Sequence, residues 1–482
     1  MHLPRRAVVV VLAAVLAVIA TITVSTTVAS ADAPALTWGP CPDGPGAVGM
    51  ECATLDVPVD PADPDGRTIT LALGRLPATG TAEGSVLVNF GGPGAPGIPM
   101  LRDQAAESFA ALRARMDVVT WDTRGYGGLF GGRSTGLDCD FRSLARPTPP
   151  FPADQAAFDA ITEANRAVAQ ACRDTDPVLF DHMDSASHAH DMEAIRRALG
   201  QERLTFYGAS YGGMFAQAYA RLFPDRVRAM VLDGTANHST ADWDAEVDEQ
   251  ARDGEEVFDR FVAWCAAEPA CALHGTDVRA RWLAVVAAAD REPLPVPGTD
   301  IRYTGRDLQG LLRFTFLAGP PEWPAMAAAV VTAEGGDGSG FVPERGNPYP
   351  VVSTVGLTEC QEIPGYDDHR DMVGTVERVR AVGPALGVSM PIVAHVLTCA
   401  GWPAPLANPP APLPDGLPPL LGLGTWTDFP GTERAVRQVP GSVAVRHDGP
   451  GHVLYRTGNA CAIEVADRYL TDLELPEPGT TC

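Results

Sequence analysis

The 482-residue chain has no lysine: all 36 of its basic residues are arginine. With its abundant alanine, glycine and proline, this bias reflects the codon usage of a GC-rich genome and carries no chemistry of its own. Basic residues are also too few, since 60 acidic ones leave a formal charge of -24. An acidic surface of that size repels phosphate backbones, which excludes nucleic acid as an expected partner; its ordinary role is solubility. The spacing C-x-x-C is absent, so the ten cysteines do not suggest a structural metal site, and no metal is expected. There is no internal repeat, and beyond the first residues no apolar run is long enough to span a bilayer.

Those first residues read as an export leader over residues 1–31. Arg5 and Arg6 form the positive region, Ala7 to about Val24 is almost wholly apolar, and Ala29-Ser30-Ala31 offers a small-residue cleavage site. The mature chain is expected to start near Asp32, which removes two arginines and leaves an extracellular protein with no stable membrane partner. An uncleaved leader acting as a membrane anchor is the alternative. Ten cysteines suit an oxidising compartment, and they fall into sequence-near couples: Cys41 with Cys52, Cys139 with Cys172, Cys265 with Cys271, Cys360 with Cys399 and Cys461 with Cys482. Five local disulfides are expected, each contributing about 2 to 3 kcal/mol.

The pattern of elements predicts an α/β protein with a mostly parallel sheet covered on both faces. Ala53–Val59 and Thr68–Leu76 read as a hairpin turned at Asp63-Pro64-Asp65-Gly66. A βα alternation follows: strand Ser85–Phe90, helix Leu101–Arg115, strand Asp117–Asp122, helix His190–Leu199, strand Leu204–Tyr207, helix Met214–Phe223 and strand Arg226–Leu232. From about His238 to Leu417 the pattern is mostly helical, as in Val257–Ala267 and Trp323–Glu334. It is expected to be a lid inserted between core segments 32–237 and 418–482, with the Pro-rich stretch 403–419 leading out of it. The core then resumes with a short strand at Leu420–Leu423, a helix from about Thr432, a strand at Ser442–Arg446 and a helix at Ala462–Leu470.

Within this frame, Phe206-Tyr207-Gly208-Ala209-Ser210-Tyr211-Gly212-Gly213 has the form of a nucleophile elbow, a serine at the tip of a sharp strand-to-helix turn. Gly208 and Gly212 stand where a side chain would crowd that turn. A serine used for acyl transfer needs a base, an acid to orient the base, and donors for the oxyanion, in the chain order Ser, Asp or Glu, His. His452 lies in the glycine loop Asp448-Gly449-Pro450-Gly451-His452, just after the last predicted strand, and is the expected base. The expected oxyanion donors are the backbone amides of Tyr211 and of Gly92 in Gly91-Gly92-Pro93-Gly94, with Gly91 as neighbour.

Val86-Leu87-Val88-Asn89-Phe90-Gly91-Gly92-Pro93-Gly94, Trp121-Asp122-Thr123-Arg124-Gly125, the serine elbow, Val231-Leu232-Asp233-Gly234 and Gly451-His452 resemble the secreted tripeptidyl aminopeptidases and proline iminopeptidase relatives of actinobacteria. The resemblance covers nearly all of the mature chain, including Cys399-Ala400-Gly401-Trp402-Pro403 and Gly479-Thr480-Thr481-Cys482. It implies the α/β-hydrolase fold, a cofactor-free serine exopeptidase, and a peptide substrate cleaved from its N-terminus. It leaves peptide length and side-chain preference open. The sequence leaves the oligomeric state open as well.

One departure concerns the acid. The family pattern G-T-x-D-x-x-T-P meets Gly424-Thr425-Trp426-Thr427-Asp428-Phe429-Pro430-Gly431, so Thr427 occupies the aspartate slot and Asp428 falls one residue late. A one-residue shift within the loop would restore Asp428 as the triad acid; Asp233 is the substitute. An esterase or lipase with the same triad, or a non-catalytic homologue, are the rival readings. His188-Ala189-His190-Asp191 is expected to be an ordinary helix start and not a metal site. The acidic run from Asp242 to Glu256 is expected to be mostly solvated, with one member a candidate to hold a substrate ammonium.

Overall fold

The computed structural model describes residues 36–128, 131–139, 151–343, 356–389 and 396–482, apart from 45, 47 and 48. The leader lies outside these residues. Residues 35–482 form one compact unit.

Its centre is a nine-stranded sheet. The strands are β1 (Gly39–Pro40), β2 (Glu51–Pro58), β3 (Thr68–Leu76), β4 (Gly84–Asn89), β5 (Met116–Trp121), β6 (Leu204–Ala209), β7 (Val227–Asp233), β10 (Leu421–Gly424) and β11 (Val443–Arg446). A separate two-stranded ribbon pairs β8 (Leu294–Pro295) with β9 (Arg302–Tyr303). In space the large sheet runs β1-β2-β3-β5-β4-β6-β7-β10-β11. The β1–β2, β2–β3 and β3–β5 pairs are antiparallel and the remaining pairs parallel.

Parallel strands buried on both faces need apolar residues at successive positions, and β4 shows why. Leu87 joins Phe206, Met230 and Leu232 on one face, packed beneath Ala189, Met192 and Ile195 of the helix Ser185–Ala198 and Phe215 of the helix Tyr211–Leu222. Val86 and Val88 join Tyr207, Val231 and Leu423 on the other, against Phe109 and against Ala462, Ala466 and Leu470 of the helix Ala460–Asp472. Along the chain between β7 and β10 lies a third core in which Phe258, Phe261, Trp282, Leu308, Phe316 and Trp323 pack together.

Three differences from the sequence reading have local causes. The expected helix Leu101–Arg115 is a single α turn at Gly97–Met100, a π turn at Leu101–Ala105 and a 3-10 turn at Leu112–Ala114. Its start is drawn forward because the Ile98 amide donates to Asp122 Oδ1 at the end of β5 (3.0 Å). The helix after Asp428 begins at Phe429, three residues before Thr432, with Pro430 in its first turn where no amide is needed. The sequence reading also passed over the helix Gln155–Arg173, capped by Asp154 and buried through Phe158, Asn165, Ala169 and Cys172. All five expected disulfides are formed.

Candidate active site

The Gly91–Gly94 loop, Ser210, Asp233, Asp428 and His452 all stand at the carboxyl ends of parallel strands, the edge where open α/β sheets bind ligands. The glycine loop Gly91–Gly94 follows β4, Ser210 follows β6, Asp233 closes β7, Asp428 lies beyond β10 and His452 beyond β11. These strands are adjacent in the order β4-β6-β7-β10-β11.

The elbow is held in a backbone conformation that L-residues rarely adopt: Ser210 has φ 54° and ψ -123°. Such a residue costs on the order of 1–3 kcal/mol and persists only where its surroundings fix it. Here the Ser210 amide donates to Asp233 O (2.8 Å). A Cβ at Gly208 would lie 2.5 Å from Gly212 O, and one at Gly212 would lie 2.8 Å from Asn89 O. Glycine is therefore required at both positions by direct contact.

The Gly91–Gly94 loop presses on the same turn. A Cβ on Gly91 would meet Ala209 O at 2.6 Å, the Tyr211 nitrogen at 2.8 Å and Ser210 Cβ at 2.9 Å. Gly91 is excluded as a donor, because its amide donates to Asn89 Oδ1 (2.8 Å). Among the described residues no backbone acceptor takes the Gly92 amide. Tyr211 opens its helix, where a first-turn amide has no intrahelical partner, and Ser210 supplies no side-chain cap.

Asp428 reaches His452 despite its displacement in sequence. Its Oδ2 stands 2.8 Å from His452 Nδ1 and accepts from the Val453 amide at 3.0 Å. Its Oδ1 accepts from the Thr425 amide (2.6 Å) and the Thr425 hydroxyl (3.0 Å). A carboxylate engaged by these donors acts as acceptor, so Nδ1 carries the proton and Nε2 is left as the basic nitrogen. The Asp428 side chain is 9% exposed and that of His452 40%, an acid shielded behind an accessible base.

The substitute acid has other work. Asp233 accepts from the Tyr207 hydroxyl (2.7 Å) and from the amides of Leu454 and Tyr455, bracing the chain beyond His452. Burial, reinforced by the nearby Asp428 charge, pushes its carboxyl up to about 6 against the pull of these donors.

Thr427, in the slot where the family pattern has its acid, donates to Gly451 O (2.7 Å), and the Thr425 hydroxyl, 2.8 Å from the same carbonyl, shares its one proton between it and Asp428 Oδ1. The threonines thus hold the carbonyl just before His452, a role for which only the T-x-T spacing gave a hint.

Other expectations resolve plainly. His188 is fully buried and stacks on Phe215, with ring centroids 4.3 Å apart, while Asp191 pairs with buried Arg124 (2.6 Å). No cluster that could hold a metal exists among the described residues. Six of the eight carboxylates in the acidic run pair with arginines: Asp244 and Asp248 with Arg378, Glu246 and Asp253 with Arg434, Glu249 with Arg252, and Glu255 with Arg279; Asp242, Asp244 and Glu256 stay exposed, so the expected solvated face holds in part. A carboxylate already bonded to a guanidinium is a poor receptor for a substrate ammonium, which disfavours those six for that role.

The fold and these residues define a serine hydrolase. The family model described as alpha/beta hydrolase fold matches residues 86–284, and the one described as TAP-like protein matches residues 384–482. The chain belongs to the α/β-hydrolase family. It is 27% identical over 480 residues to serine protease Hip1 of Mycobacterium tuberculosis, covering 92% of this chain and 90% of that protein. It is 29% identical over 451 residues to carboxylesterase B of the same species, covering 89% and 86%. Tripeptidyl aminopeptidase of Streptomyces lividans is 32% identical over 263 residues, or 51% of this chain and 47% of that one. A solved proline iminopeptidase of Mycobacterium smegmatis aligns over 87% of this chain and 98% of its own, at 15% identity and a TM-score of 0.41.

Proposed function

We propose that the protein is a secreted serine exopeptidase that releases short peptides or single residues from peptide N-termini through an acyl-enzyme on Ser210. The observation that carries this reading is the 2.8 Å contact of Asp428 with His452, at the sheet edge that also presents Ser210. In it, the Ser210 hydroxyl attacks the scissile carbonyl while His452 Nε2 takes its proton and returns it to the leaving amine. Asp428 keeps the imidazole oriented and offsets the charge it gains. The Gly92 and Tyr211 amides take the oxyanion, and water releases the acyl group. Five disulfides support the extracellular setting.

The test has two parts. Ser210→Ala should abolish hydrolysis and fluorophosphonate labelling; a variant that kept full activity would refute the assignment. Free and N-blocked tripeptidyl p-nitroanilides are then compared with p-nitrophenyl esters, and the exopeptidase reading expects cleavage only where the amine is free. The second reading, a carboxylesterase with the same nucleophile, draws on the full-length similarity to carboxylesterase B. Ester turnover with no anilide cleavage would select it.

A further inference from the structure

We propose that Glu362, a residue of the insertion, is a positioning residue for the reaction: by gripping the Tyr211 phenol it fixes the direction of the Tyr211 amide beside Ser210. This inference rests on the oxyanion role given to that amide above.

The Tyr211 amide belongs to the first residue of a helix. Its peptide plane is shared with the Ser210 carbonyl, which accepts from the Gly213 amide (3.0 Å), but the preceding serine gives no side-chain cap. Its side chain, by contrast, is firmly held. The Tyr211 hydroxyl donates to Glu362 Oε2 at 2.5 Å, and the pair is buried. The other Glu362 oxygen accepts from the Ser185 amide (2.5 Å) and from Asn408 Nδ2 (3.2 Å). One carboxylate thus binds the start of the elbow helix, the start of the helix Ser185–Ala198 and the chain leaving the insertion.

The network also reaches the far end of the elbow helix. Asn408 Oδ1 accepts from Arg221 Nη2 (3.0 Å), so residues 362 and 408 hold the helix Tyr211–Leu222 near both termini. Glu362 is fixed in turn by its neighbours. Cys360 is bonded to Cys399, the Gln361 side chain donates to Phe180 O (2.7 Å), and Gln361 O accepts from the Ala407 amide (2.8 Å).

A phenol donating to a buried carboxylate makes a short, charge-assisted bond, stronger than a neutral one. Burial, together with the nearby Asp184 charge, pushes the Glu362 carboxyl up to about 7, against the pull of Tyr211 and Ser185. The insertion therefore acts on the oxyanion residue directly, through a side chain that does not need to touch substrate.

Steady-state kinetics on the free-amine tripeptidyl p-nitroanilide test this with full-length wild type, Tyr211→Phe, Glu362→Gln, Glu362→Met and the Tyr211→Phe/Glu362→Met double variant. Removing an oxyanion donor costs about 100- to 1000-fold, and a misdirected one should cost less. Tyr211→Phe and Glu362→Met should each lower kcat roughly 10- to 100-fold with KM nearly unchanged. Glu362→Gln keeps an acceptor for the phenol but sets its NH2 against the Ser185 amide and Asn408 Nδ2, so it should lose less rate than Glu362→Met without full recovery. The double variant should be no worse than the worse single one. A folded Tyr211→Phe or Glu362→Met with unaltered kcat, or with its change confined to KM, overturns the proposal. Should Glu362→Met fail to fold, Tyr211→Phe carries the test, since it removes one oxygen and no packing. Fluorophosphonate labelling separates the failures: labelling at Ser210 with unaltered Tyr211→Phe turnover sinks this inference alone, whereas an unlabelled Ser210 sinks the acyl-enzyme and this inference with it.

Discussion

Asp428 Oδ2 serves two successive residues, the ring of His452 at 2.8 Å and the backbone amide of Val453 at 3.0 Å. Val453 can offer that amide because its backbone is left-handed, with φ 60°, a rare state for a β-branched residue. The same carboxylate thus orients the base and stabilises the turn that carries it. Asp428→Asn should reduce kcat about ten-thousand-fold, because an amide can present a donor to Nδ1 and so favour the wrong tautomer. The check is kcat beside a thermal melt, with the melt lowered far less than the rate.

Asp233 should behave in the opposite way. Replacing it with leucine leaves the Tyr207 hydroxyl and the amides of Leu454 and Tyr455 without their acceptor in a fully buried place. Each such donor costs about 1–3 kcal/mol, so Asp233→Leu should lose at least about 3 kcal/mol in urea unfolding. Any loss of activity should follow the loss of folded protein.

Arg124 and Asp191 form a bidentate pair, each 1% exposed, and Arg124 also donates to Pro58 O and Val59 O. Arg124→Met strands the Asp191 charge and should cost about 3–5 kcal/mol. Arg124→Met/Asp191→Leu should recover a large part of that, because the desolvated charge is gone. Urea midpoints of the two variants decide it.

Stability should carry a pH signature from Glu362. Its folded carboxyl titrates at about 7 against an ordinary 4.5, so the folded chain holds this proton more tightly than the unfolded one. The contribution is greatest below pH 4.5, falls as the pH rises towards 7 and is lowest above that. Charges and polar groups near it, namely Asp184, His238, Glu359, Tyr126, Tyr211 and Arg221, remain in Glu362→Gln, which removes this titration. The gain in melting temperature from pH 8 to pH 5 should be larger in wild type than in Glu362→Gln. Equal gains would rule out this origin.

Much of the core was legible because its physics is local. A strand buried on both faces reads as a run such as Val86-Leu87-Val88, and a turn that a Cβ would block reads as Gly208 and Gly212. The helix Gln155–Arg173 was missed because its buried positions are few and include Asn165, whose burial is satisfied by the distant carbonyls of Leu397 and Ala400. The buried part of the acidic run was read as solvated because its arginine partners, Arg279, Arg378 and Arg434, lie on other elements. Glu362 carried no signal, since its three donors come from residues 185, 211 and 408.

The amino-acid sequence by itself showed the glycine-framed Ser210 turn, because residue type at short range sets it, and it pointed to the chain order of Ser210, Asp428 and His452 and to the five cysteine couples through motif and proximity. Only the tertiary structure decided which carboxylate faces His452. Asp233 and Asp428 both follow parallel strands, and a hydrogen bond is governed by distances of a few tenths of an ångström that no spacing along the chain encodes. The fold of the Thr425–Asp428 turn brought Asp428 to the ring and left Asp233 to the backbone beyond it.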